Sequence, residues 1–236
     1  MLVHGPFGRL TVMNSGRIIQ NLGAVLVLCL TQLEAVAQTN APPRDIVPQD
    51  TRYAALAKTL QAKGMDFEHM FGEMCRVVLT NVNTDAKLRL DDQVRAMFGG
   101  LWMWSRNGGS PTFQGQNDKA LHFIGGGALE GYFDVGRSAA IIKEEVDRQD
   151  PNNFFDLDDM AATMMGARWV DIATSENVKQ ARAWVELWAS GNYTLSRSLP
   201  KLHWGHMEPG ADAPPEKVKA VMQAITAAMV PPEVPR

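Results

Sequence analysis

Between Asp118 and Asp159 the sequence gathers side chains that can carry protons or hold metal ions. Asp118 and Lys119 are followed by His122; Lys143 and Glu144 are followed by Asp147; Asp159 opens a third group. On a helix, residues four apart share a face, so Asp118 and His122 are neighbours, as are Lys143 and Asp147. A carboxylate that orients an imidazole suits it to general base work, which makes His122, Glu144 and Asp147 a candidate catalytic cluster. An imidazole with carboxylates is also a plausible shell for a divalent ion. The same residues have a structural reading. Asp118 then caps a helix, Lys143 and Asp147 form an ion pair worth about 0.3 kcal/mol, and His122 bonds between helices. Both readings stay open at this point, and no cofactor is expected.

Other signatures of catalysis are missing. There is no HExxH, no GxSxG and no Cys/His zinc spacing. Ser198 and Lys201 fit SxxK by letters alone, with Pro200 arguing against the helix start such a nucleophile needs. Gly125, Gly126 and Gly127 fail the dinucleotide pattern because Glu130 stands where its third glycine belongs. These glycines are expected instead to let a neighbouring helix approach closely. Asp150–Asn152 lacks the spacing and glycine of a calcium loop. His203 and His206 read as a solvated loop rather than a metal pair.

The elements that must position these residues are helices. Apolar residues recur with a period of 3.6 from about residue 50 to residue 230, and no alternating run is long enough for a sheet. The expectation is an all-α fold: one domain of seven to eight helices over residues 50–230, with a linker at 38–49 and a tail at 231–236. Asp50 or Thr51, Asp66, Asp91, Asp118, Asp156 or Asp158, and Ser175 are the predicted caps. Only the short stretch Asp134–Gly136 separates the His122 helix from the Lys143 helix, which predicts an antiparallel hairpin. That hairpin would bring His122, Glu144 and Asp147 within side-chain reach, with Lys119 and Lys143 compensating their charge.

The series DKxxHF, KExxD, DMA and GA, from Asp118 to about Trp169, resembles the YfiM-type family of small bacterial periplasmic lipoproteins of unknown function. It is more loosely similar to VanZ-like membrane proteins, which also carry a DKxxH-type start. The resemblance covers roughly a quarter of the chain. It implies a helical fold and an envelope location, and brings no known reaction. By it, Asp118, Lys119, His122, Lys143, Glu144, Asp147 and Asp159 are the positions to watch. The chain departs from the pattern twice: it has no lipobox, and Thr163 stands where a second acidic residue is expected.

The N-terminal residues read as a secretion signal. Arg17 precedes the apolar run Leu22–Leu30, and Ala35-Val36-Ala37 supplies small residues for cleavage before Gln38. Residues 1–37 are thus the expected signal peptide, with Met13 as the more natural start. Cleavage removes Arg9, Arg17 and Glu34, which takes the net charge from −3 to −4. An acidic chain gives no case for nucleic acid. The expectation is a periplasmic or secreted protein, of unknown partner, in peripheral contact with envelope components. Cys75 is then the one mature cysteine, predicted to be buried and inert, so the fold rests on its core.

Overall fold

Capping residues and breakers divide the chain into helices much as the spacing predicts. The computed structural model describes residues 47–85 and 87–233. Among them run α1 (Val47–Ala62), α2 (Phe67–Thr84), α3 (Leu90–Arg106), α4 (Asn117–Phe133), α5 (Gly136–Asp147), α6 (Leu157–Ala173), α7 (Val178–Ala189), a single turn α8 (Leu195–Ser198) and α9 (Pro215–Ala228). The described residues form no sheet, so the all-α expectation holds, as one domain. They belong to one unit, Pro43–Arg236. The predicted signal peptide and most of the predicted linker lie outside the described residues. None of the described helices is long and apolar enough to cross a membrane.

Several boundaries differ from the sequence reading, each for a local reason. α1 begins at Val47, so Asp50 sits in its first turn and does not cap it. Asp66 does cap α2, accepting from the His69 N–H at 2.9 Å, and Asp156 caps α6 by accepting from the Asp158 and Asp159 N–H groups. Asp118 is not a cap: α4 starts at Asn117, which leaves Asp118 in the first turn, where its charge still favours the helix dipole. Asn177, not Ser175, caps α7. The turn α8 was not predicted, since four residues carry no period to read.

Five helices converge on one aromatic ring. Phe71 of α2 meets Phe98 of α3, Phe123 of α4, Trp169 of α6 and Trp188 of α7 edge to face, with centroids 5.1–5.8 Å apart. Such pairs add about 0.5–1.5 kcal/mol each beyond the area they bury. Cys75 lies fully buried one turn further along α2, and burial pushes its thiol up, as an inert cysteine requires. Helix α6 is apolar nearly all round and forms the centre, with α4 as its principal neighbour and α5 beside both.

The α4–α6 crossing is set by glycines. A Cβ on Gly126 would run into the backbone of Thr163, and one on Gly166 into the carbonyl of Phe123. Gly136, at the start of α5, lies against the Gly126 carbonyl in the same way. The predicted close approach at Gly125–Gly127 is therefore present: Gly126 meets α6, while Gly125 and Gly127 face Trp102 and Phe98 of α3.

A polar network between three helices

The glycine crossing places the residue one turn before Gly126 beside the residues one turn and two turns before Gly166. Those are His122, Thr163 and Asp159. His122 Nε2 lies 3.1 Å from Asp159 Oδ2, and His122 Nδ1 lies 3.1 Å from Thr163 Oγ1. The Thr163 hydroxyl donates to the Asp159 carbonyl at 2.9 Å, one turn back along α6. When that hydrogen lies on the carbonyl, the Thr163 oxygen accepts from Nδ1–H. The residue expected to be acidic is thus the hydroxyl that fixes the imidazole.

Two lysines close the network. Lys119 Nζ, almost wholly buried, donates to Asp159 Oδ1 at 2.5 Å and to Asp156 Oδ2 at 3.2 Å, and lies 3.4 Å from Asp118 Oδ2. Lys143 Nζ donates to Glu144 Oε1 at 2.8 Å and to Asp147 Oδ2 at 2.7 Å, and stands 3.7 Å from Asp159 Oδ2. Glu144, with its side chain only 1% exposed, uses its other oxygen to accept the Asp156 N–H at 3.0 Å. Asp156 in turn caps α6. One end of α6 is therefore tied to α4 through Lys119 and His122, and to α5 through Glu144 and Lys143.

The electrostatics follow from this geometry. Burial would raise the Asp159 carboxyl, but His122 and Lys119 outweigh it and hold the group well below the ordinary carboxylate range. Burial would lower the Lys119 ammonium, but Asp159 and Asp156 outweigh it and push the group up. Lys143 is likewise raised, its burial outweighed by Asp147 and Glu144. Glu144 goes the other way: burial raises it, and the Lys143 ammonium and the Asp156 N–H offset only part of that.

The sequence-predicted residues thus fall into one network, though not in the predicted order. The acid that touches His122 is Asp159 on α6. Glu144 offers an oxygen within 4.8 Å of the ligand atoms of His122 and Asp159. Asp147 meets Lys143, and Asp118 meets Lys119 from an exposed position. Sequence reasoning missed Asp156, which it took only as a cap, and Thr163, which it took as a missing acid. The signal for the first was the run of three acids at the start of α6. Phe123 and Met165 are buried, and Tyr132 donates to Asp50 Oδ2 at 2.7 Å. His203 stacks on Trp204, while His206 lies against Phe154, and the strand-like bridge of His206 to Asp156 runs beside the start of α6.

Comparison with protein-family models, curated proteins and solved structures returns no match.

Proposed function

We propose that this chain is an exported bacterial envelope protein of binding or structural type, in which the His122–Asp159 network clamps α4, α5 and α6. The observation that carries this reading is that both ring nitrogens of His122 are engaged, one by Asp159 and one by Thr163. A general base needs one nitrogen turned to substrate. Lys119 and Lys143 are likewise held by carboxylates on two sides each. Export is supported by the order of charged, apolar and small residues over 13–37, and by the resemblance of residues 118–169 to periplasmic lipoproteins.

A second reading, a hydrolase acting on an envelope polymer or lipid, draws support from the His122–Asp159 pair itself. In it Asp159 orients the imidazole, a part first given to Glu144 or Asp147, and Nδ1 leaves Thr163 to face substrate.

Export is tested for both readings, and one variant separates them. Mass spectrometry of the protein from an envelope fraction is expected to begin at Gln38, and an intact N-terminus in the cytoplasm would overturn export. For a clamp, His122→Ala lowers stability by about 1–3 kcal/mol, because it strands buried partners. For a hydrolase, the same change abolishes a phenotype in the native host and leaves the melt unchanged or raised.

A further inference from the structure

With the imidazole hydrogen on Nδ1, the contact between His122 and Asp159 takes a positive charge between its two atoms. Thr163 gives its hydrogen to the Asp159 carbonyl and accepts from Nδ1–H, so in the neutral imidazole Nε2 presents a lone pair. That lone pair faces a carboxylate oxygen at 3.1 Å. Two lone pairs at that distance repel unless a proton or a metal ion lies between them. The surroundings favour the cation: Asp118, Glu144, Asp147, Asp156 and Asp159 outnumber Lys119 and Lys143 by three charges.

We propose that His122 Nε2 and the carboxylates of Glu144 and Asp159 form a binding site for a divalent transition-metal ion of the zinc or manganese type. Their ligand atoms lie within 4.8 Å of one another on three different helices. One imidazole nitrogen with two carboxylate oxygens suits such ions better than magnesium or calcium, which prefer oxygen alone. The second ring nitrogen is already fixed by Thr163, as it is in metal sites where an outer partner sets the tautomer and the ring orientation. Lys143 holds the place of the ion. Its ammonium sits against Glu144 and Asp159 on a flexible stem that is 39% exposed, and its bond to Asp147 lets it swing outward. Binding then adds to the clamp by joining α4, α5 and α6 through one atom.

The test is calorimetric titration of the chelator-stripped, full-length protein with Zn²⁺ and with Mn²⁺. One equivalent of at least one of them is expected to bind. His122→Ala and Glu144→Gln are each expected to weaken binding at least about tenfold, and Thr163→Val by about 10–100-fold, the usual effect of an outer partner. Lys143→Met keeps all three ligands and removes the competing ammonium, so it tightens binding. A His203→Ala/His206→Ala protein binds as the wild type does. A flat titration of the wild type with both ions overturns the proposal. So does wild-type affinity in a folded Glu144→Gln protein, or weaker binding in Lys143→Met. The clamp is read separately, from the His122→Ala melt in chelator, so it can stand if the metal site falls.

Discussion

Asp159 joins the two halves of the network, because one carboxylate meets both Lys119 and His122 and stands 3.7 Å from Lys143. Its removal leaves a nearly buried ammonium short of its nearest anion. Breaking a buried pair in this way typically costs about 3–5 kcal/mol, most of it the penalty of the stranded charge. Asp159→Ala is therefore expected to lose about that much in chemical denaturation. Asp147→Ala removes only a half-exposed partner from Lys143, which keeps Glu144, and is expected to lose about 0.5 kcal/mol or less. Equal losses from the two would refute the hierarchy. The sequence reading groups His122 with Glu144 and Asp147 instead, for an understandable reason. Spacing along one helix shows that Asp118 and His122, or Lys143 and Asp147, share a face. It says nothing of which acid on another helix an imidazole will meet. The short Asp134–Gly136 connection pointed to α5, whereas the contact is made by α6.

The elements decide that contact. Gly126 and Gly166 are each backed by a main-chain carbonyl of the other helix, which cannot move aside as a side-chain tip can. Gly126→Ala or Gly166→Ala is expected to destabilise by about 1–3 kcal/mol or more through overpacking. Either change should also spread α4 from α6 and move His122 away from Asp159. Gly131, on the same helix, is the control. An added Cβ there would meet the flexible Arg95 side chain at 3.3 Å. Gly131→Ala is expected to be neutral, or to stabilise by up to about 1 kcal/mol through helix propensity. Thermal melts of the three variants check this, and a Gly126→Ala protein as stable as Gly131→Ala would remove the basis for the close crossing. That the glycine triplet marks an approach was legible, since three glycines inside an otherwise helical run have few other uses. The identity of the approaching helix was not, because Gly166 sits alone in a pattern of alanines and methionines that reads equally well on every face.

At the scale of the molecule, the network joins α4, α5 and α6, and a second polar contact joins α1 to that group. Tyr132 of α4 donates to Asp50 Oδ2, while Asp50 Oδ1 is buried with no hydrogen-bond partner among the described residues. Gly99 of α3 lies directly beneath both side chains. Burial pushes the Asp50 carboxyl up to about 6, against the pull of the Tyr132 hydroxyl. The ordinary carboxylate of an unfolded chain titrates near 3.9. A group raised on folding contributes stability below its unfolded value and loses that contribution as pH rises to its folded value. Asp50 should therefore favour the fold at about pH 4 and cease to do so by about pH 6. Asp159, held low, has the opposite slope at lower pH, while Glu130 and Glu144, raised by burial, share the sign of Asp50, so a variant rather than the wild-type curve isolates Asp50. Asp50→Asn removes the titration and keeps an acceptor for Tyr132. The melting temperature of the wild type minus that of Asp50→Asn is expected to fall steadily from pH 4 to pH 6 and to level off above. Tyr132→Phe takes away the one donor that lowers the carboxyl and should shift this fall to higher pH. A difference that stays flat across the window, or that rises with pH, would show that Asp50 is charged in the fold, and that α1 is held by an ion rather than by a neutral acid.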